Sequence, residues 1–276
     1  MSSPSQRFPL SLVSSWQGSS RLFRFGLSRL IEIGARRKRP RWVVQRVIGS
    51  WVTRCGIDLE EFEVPAGGFP TFCDFHGRAL RPGARQVDAA SAVVFPADGF
   101  VLDHGSIRDG RLTQVKGIDY SMEKLVNEAP PRFELQAYEG GTFVNLYLPM
   151  ESCHRWYSPL DGELRREKRL PGDRFSLDMK SLASNPGIYA SNERLVQELA
   201  GPAGELLLVA VGGIAATNVY STRPPEAQGP LPYAKGKELG GFYLGSSIVI
   251  LLPRGMATVP LAAHQPIKMG QPLSMA

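Results

Sequence analysis

No stretch of 18 or more apolar residues occurs in the 276-residue sequence, so nothing in it reads as a membrane-spanning helix. Cysteine is scarce. Cys55, Cys73 and Cys153 are an odd number with no metal-type spacing, which argues for reduced thiols in a cytoplasmic setting rather than a disulfide framework. The four histidines (His76, His104, His154 and His264) are scattered, and none belongs to a His-x-x-x-His pair, so no zinc-hydrolase signature is present and no metal is expected. Also missing are a Gly-x-x-x-x-Gly-Lys phosphate loop, a dinucleotide fingerprint in its proper context and a Gly-x-Ser-x-Gly nucleophile elbow. The first residues hold no compact apolar core followed by a small-residue cleavage site, so no signal peptide is expected.

Acidic residues are nearly absent from one segment. Residues 1–54 contain eleven Arg and Lys against the single acid Glu32, a net +10, while the other 222 residues carry −4. Residues 1–19 are rich in Ser and Pro and read as frayed. From Arg21 to about Ile33 the spacing predicts an amphipathic helix, with Phe23, Leu27, Leu30, Ile31 and Gly34 near one face and Arg21, Arg24 and Arg29 mostly off it. A second helix is predicted after Pro40, with Val44, Val47, Ile48, Trp51 and Cys55 on one side. Basic helices carrying Trp and Phe suit an anionic phospholipid membrane surface, which makes a peripheral membrane protein the expectation. Two alternatives stay open: the apolar faces pack on the protein's own core, or the charge block attracts nucleic acid. The second rests on charge alone, without an aromatic-studded sheet motif or zinc module, and no nucleic-acid partner is expected.

Hydrophobic residues make up 43% of the chain, a globular composition with enough length for a substantial core. Beyond about residue 85, "AVVFPADGFVLDHGSI", "GTFVNLYLPM", "ELLLVAVGGIAATNVY" and "FYLGSSIVILLP" are short apolar runs punctuated by Gly, Pro and Asp-Gly, as strands with tight turns are. Only Ser121–Asn127 and Ser191–Leu199 look helical in this half. The expected fold is α+β: a mostly antiparallel β catalytic body over residues 61–276, with an N-terminal amphipathic helical arm over residues 1–60. One stretch does not suit a plain strand. "GGFYLGSSIVILL" (240–252) places Gly-Ser-Ser between two strand-like segments, where glycine marks either a bulge or a backbone that itself reacts.

In chain order, "PTFCDFHGRALRPGARQVD" (70–88), "FPADGFV" (95–101), "VKGIDYSMEKLV" (115–126), "GTFVNLYLPMESCHRWYSPLDGEL" (141–164), "PGDRFSL" (171–177), "NERLV" (192–196) and "GKELGGFYLGSSIVILL" (236–252) form an ordered set. Together they resemble the pyruvoyl-dependent phosphatidylserine decarboxylases over roughly residues 45–276. Each piece alone is weak, but seven in one order are specific.

The resemblance implies that the Gly245–Ser246 bond breaks itself. The Ser246 hydroxyl would attack the Gly245 carbonyl, turning amide into ester, and β-elimination would leave a dehydroalanine that hydrolyses to a pyruvoyl group. That covalent cofactor, derived from Ser246, would decarboxylate phosphatidylserine or a similar serine-headgroup lipid to phosphatidylethanolamine. A lipid substrate agrees with a membrane-docking arm on the cytoplasmic face, and the family suggests a homodimer of processed heterodimers. Asp98, in "PADG", matches the family's acid paired with a histidine near the serine; from the dipeptide alone it is equally a hairpin turn. His154, in "CHRWYSP", matches the first histidine of the family's His-Arg-x-His-x-Pro, and Arg155 beside it is a candidate phosphate ligand.

The second family histidine is replaced by Tyr157, whose phenol is a poor base near neutral pH. Three outcomes follow: Tyr157 or His154 serves instead, maturation is slow, or the chain is a non-processing relative that acts as a membrane-binding protein. His104, six residues past Asp98, could substitute only if the chain folds back. A different amino-acid-type substrate is a further alternative.

Overall fold

The computed structural model describes residues 19–114, 119–185, 187–214, 219–244 and 246–275, apart from the side chains of residues 114, 179, 180, 183 and 246. Helices α1 (Arg21–Ala35) and α2 (Arg41–Cys55) form the arm; α3 (Phe72–His76), α4 (Met122–Val126), α5 (Met179–Ser184) and α6 (Ile188–Ser191) are short. The strands are β1 (Ser91–Val94), β2 (Gly99–Arg108), β3 (Arg111–Gln114), β4 (Tyr120–Ser121), β5 (Thr142–Tyr147), β6 (Arg155–Tyr157), β7 (Gly162–Leu170) and β8 (Arg194–Gly201). They continue with β9 (Gly204–Gly212), β10 (Val219–Ser221), β11 (Leu231–Tyr233), β12 (Glu238–Phe242), β13 (Ser246–Leu252), β14 (Pro266–Ile267) and β15 (Pro272–Met275).

A large antiparallel sheet runs β11-β7-β8-β9-β13-β5-β2-β3-β4, with β14 also on β2. Two smaller sheets, β10-β12-β6 and β1-β15, accompany it. The expected α+β architecture with a mostly antiparallel body is what forms.

The central strands explain their own sequence. Side chains alternate across a strand, and in β13 Ile248, Ile250 and Leu252 enter one buried cluster while Val249 and Leu251 enter another. Because both faces are covered, the aliphatic run needs no polar alternation. Trp156, Leu239 and Phe242 cover the first face, and Met122, Leu125, Ile188 and Tyr189 the second. Each large apolar side chain buried this way contributes about 1.5–3 kcal/mol.

Ser191–Leu199 corrects the expectation of a helix. Its larger part is β8, paired on both sides by β7 and β9. Leu195 and Leu199 face one core cluster and Val196 the other, and this two-sided burial overrides the helix propensity of Glu, Leu and Gln.

The arm has the predicted helices, and the apolar side of α1 faces away from the body rather than packing on its core. Ser20 caps α1 through its hydroxyl, which accepts from the Phe23 amide at 3.3 Å. The side of α1 against the body is polar: Ser28 and Glu32 are buried, and Arg24 forms a bidentate pair with Asp173 at 2.9 and 2.5 Å. Arg174 donates to the Ser28 hydroxyl at 3.1 Å and lies over the Phe25 ring. Phe23 and Leu30, on the apolar face expected to meet either a membrane surface or the protein's own core, are 53% and 66% exposed, as Leu22 is at 86%. Helix α2 keeps closer to expectation. Ile48 and Cys55 are buried, with Val44 and Trp51 packed beside them, while Val47 turns outward. No helix among the described residues is long and apolar enough to cross a membrane.

Candidate active site

Three central strands end together. Ser247 pairs with Tyr147, and Tyr147 pairs in turn with Phe100, so the start of β13, the end of β5 and the start of β2 share one rim of the sheet. With adjacent strands about 4.8 Å apart, Asp98-Gly99 lies roughly 10 Å from the head of β13. Gly99 permits this approach: its φ is +149°, and a Cβ there would stand 2.3 Å from the Tyr147 carbonyl oxygen.

The small β6–β12 pairing crosses over this rim, with Gly240 opposite Trp156 and Gly241 opposite Arg155. A Cβ on Gly240 would sit 2.3 Å from the Trp156 ring. The Gly-Gly of "GGFYLGSS" is thus small because the Trp156 indole lies against Gly240 and the Tyr220 ring against Gly241.

Ser246 opens β13, its backbone paired with Gly212 of β9. Gly245 lies outside the described residues, as does the Ser246 side chain.

His154 precedes β6 and is fully buried. Its carbonyl accepts the Phe242 amide at 2.8 Å, and its ring Nδ1 is 3.1 Å from the Ser152 carbonyl. A carbonyl only accepts, so Nδ1 carries the proton, and in the neutral ring Nε2 keeps its lone pair. Burial, then the neighbouring His76 and Arg78, push its pKa well below the ordinary histidine value, against the opposing pull of the Ser152 and Leu148 carbonyls. Leu148 directly follows Tyr147, the cross-strand partner of Ser247. His154 is therefore a neutral imidazole anchored beside the head of β13.

Asp98 is buried at the same rim, but no histidine holds it. Its carboxylate receives Arg85 at 2.6, 3.0 and 3.2 Å and the Met269 amide at 2.9 Å. Arg85 bridges onward to Glu61 at 2.7 Å. The acid–imidazole pairing that the resemblance implies is replaced by a carboxylate–guanidinium–carboxylate chain.

Tyr157 directs its hydroxyl at Cys153 Sγ, 3.8 Å away. Burial first, then Cys153, raise its pKa above that of an ordinary phenol, so it remains protonated and is unsuited to act as a base. His104 does not fold back: it lies on extended β2 opposite Val144, roughly 17 Å along the strand from Gly99. Of the named residues, the structure gathers Asp98, His154, Tyr157 and the Ser246 backbone, and leaves His104 out.

Sequence reasoning gave no role to three further groups. His76 stacks on His154 with ring centroids 3.7 Å apart. Arg85 claims Asp98. On the other face of the sheet, the buried side chains of Ser247 and Asn145 meet the Tyr189 hydroxyl. His76 and Arg85 both sit in "PTFCDFHGRALRPGARQVD", so the signal was present as a block without indicating which members meet the rim.

Beside the rim opens a cavity of about 860 Å³, walled by Gly77, Arg81, Arg155, Tyr220, Glu238 and Tyr243 among others. Arg155 donates to the Gly77 carbonyl at 2.9 Å and to Glu238 at 2.8 Å. Arg36, at the end of α1, lies over the Tyr243 ring at 4.7 Å. The arm thus touches a residue that lines the cavity and stands two positions before Gly245.

The phosphatidylserine decarboxylase family model matches residues 72–274. The chain belongs to the phosphatidylserine decarboxylase family. A phosphatidylserine decarboxylase proenzyme of Alcanivorax borkumensis is 34% identical over 248 residues, 84% of each chain. That of Anaeromyxobacter is 33% identical over 268 residues, 91% of this chain and 94% of the relative. That of Methylibium petroleiphilum is 37% identical over 233 residues, 78% of this chain and 81% of the relative. The family match spans the entire rim, from α3 to β15.

Proposed function

We propose that the protein is a self-processing, pyruvoyl-dependent decarboxylase of phosphatidylserine or a similar serine-headgroup lipid. The observation that carries this reading is a neutral His154 held by the Ser152 and Leu148 carbonyls, Leu148 directly following the cross-strand partner of Ser247. His154 Nε2 takes the Ser246 hydroxyl proton as the oxygen attacks the Gly245 carbonyl carbon. The C–N bond breaks, the proton passes to the Ser246 nitrogen, and an ester replaces the amide. Removal of the Ser246 Cα proton then forms a Cα–Cβ double bond and expels the Gly245 carboxylate. The resulting enamine takes up water and loses ammonia, which leaves a pyruvoyl group at residue 246.

The position fits such a group. Ser246 and Ser247 are held by pairing to Gly212 and Val211 on β9, and Ser247 also to Tyr147 on β5, so a new chain end at 246 stays fixed by main-chain bonds. Once formed, the group supplies a carbonyl that accepts a substrate amine and the electrons released with carbon dioxide. Arg81 and Arg155, on the cavity wall, are placed to attract a headgroup phosphate. The arm serves as the membrane contact: Leu22, Leu30, Ile33 and Trp42 are exposed beside Arg37, Lys38, Arg39 and Arg41, a combination suited to an anionic bilayer.

Intact mass under denaturing conditions tests this. Two species divided between residues 245 and 246, with the smaller chain lighter at its start than serine requires, support it. Ser246→Ala should remain one inactive chain, and a cut or active alanine variant overturns the reading. A second reading, a non-processing membrane-binding relative, is favoured by the capture of Asp98 by Arg85. It requires a single wild-type mass that persists on incubation.

A further inference from the structure

Self-cleavage needs more than a base; it needs the scissile segment held against that base. Phe242 ends β12, and three residues separate it from Ser246. Its amide donates to the His154 carbonyl at 2.8 Å. Its own carbonyl faces His76 Nδ1 at 3.4 Å, and because a carbonyl only accepts, that nitrogen bears the proton. The His76 ring then closes on the His154 ring at 3.7 Å, with an interplanar angle of 48°. Ring, backbone and ring form a closed loop around the strand that leads to the cleavage site.

We propose that His76 is a positioning residue of self-cleavage, locking His154 and the Phe242 end of β12 into one unit through its ring contact and its Nδ1–H bond. This rests on the function proposed above. His76 ends α3, whose Thr71 cap accepts from the Asp74 amide at 3.0 Å. A fully buried imidazole is costly unless its N–H is used, and an apolar ring would fill the same space more cheaply. Two residues on, Arg78 donates to the carbonyls of Phe75, Met150, Glu151 and Ser152 at 2.9–3.1 Å. The same short segment thereby also sets the Ser152 carbonyl that orients His154. The charged or titratable group acting on His76 is Arg78, and those acting on His154 are His76 and Arg78; Glu151, Cys153, Asp98 and Cys55 act on Arg78.

The test follows the cleavage of freshly translated chain by intact mass across pH 5–8, with thermal melts to confirm folding. His76→Phe keeps a ring and loses the N–H; His76→Asn places an amide N–H where Nδ1–H stood. His76→Phe should slow cleavage about tenfold or more at pH 7.5, and His76→Asn should return it to within about threefold of wild type. His76→Phe should also move the acid limb of the rate profile upward, because one influence against protonating His154 is gone. If His76→Phe does not fold, His76→Leu takes its place. Wild-type cleavage by the folded phenylalanine variant, or an asparagine variant as slow as it, overturns the proposal alone. An uncut wild-type chain overturns the proposed function and this inference with it.

Discussion

Arg85 and Asp98 form a buried ion pair, with 6% and 2% of their side chains exposed and a closest approach of 2.6 Å. Burial disfavours the guanidinium charge, yet the hydrogen bonds that Arg85 donates to Asp98 and Glu61 outweigh it and raise the Arg85 pKa. The pair ties the loop ahead of β2 to the segment after α3 and, through the Met269 amide, to the segment after β14.

Removing only the cation should be severe. Arg85→Met leaves Asp98 buried without its counterion and should cost about 3–5 kcal/mol. Urea denaturation of the variant and of Arg85→Met/Asp98→Asn measures this. The double variant should regain a substantial part of the loss, because a neutral amide needs no counterion.

The histidine pair makes stability depend on acid. Both folded-state pKa values lie below the ordinary value of about 6.5, His76 at about 3 and His154 well below. The unfolded chain therefore binds more protons than the folded one below pH 6.5. Stability is full above that value and falls as pH drops, by up to about 1.4 kcal/mol per histidine per pH unit. Urea midpoints at pH 7, 6 and 5 should follow this decline, and His76→Phe should remove close to half of the histidine contribution.

Gly99 is irreplaceable for two reasons that act together. Alanine would adopt a φ of +149° and drive its Cβ to 2.3 Å from the Tyr147 oxygen. Gly99→Ala should lose about 3 kcal/mol or more, read as a lowered melting temperature. Cleavage should slow in parallel, since Tyr147 is the cross-strand partner of Ser247.

Much of this was legible in the chain. The two-sided burial of β13 follows from its aliphatic run, and both arm helices follow from their spacing. What escaped depended on contacts distant in sequence. The polar inward face of α1 exists because Arg24 meets Asp173, 149 residues later. His76 meets Phe242 across 166 residues, and no local pattern announces either meeting. Helix α3 went unread because its five residues are too few to show a period.

The outward apolar face of the arm predicts membrane binding separable from folding. Leu22 and Leu30 are 86% and 66% exposed, so Leu22→Glu/Leu30→Glu should leave the melting temperature within about 2 °C. Affinity for vesicles containing an anionic phospholipid should fall about tenfold or more per leucine. Co-sedimentation measures it, and unchanged binding would place the membrane contact elsewhere.

His154 and Tyr157 can be told apart by subtraction. Among the described residues the Tyr157 hydroxyl meets the weak hydrogen-bonding partner Cys153 Sγ at 3.8 Å, and burial keeps it protonated. Tyr157→Phe should therefore cleave at close to the wild-type rate. His154→Gln removes the Nε2 lone pair but retains a buried amide, and should slow cleavage by about 10²–10⁴-fold. Intact-mass time courses of the two variants decide between them. A stalled phenylalanine variant beside a competent glutamine variant would move the base to Tyr157, against the protonation that its burial enforces.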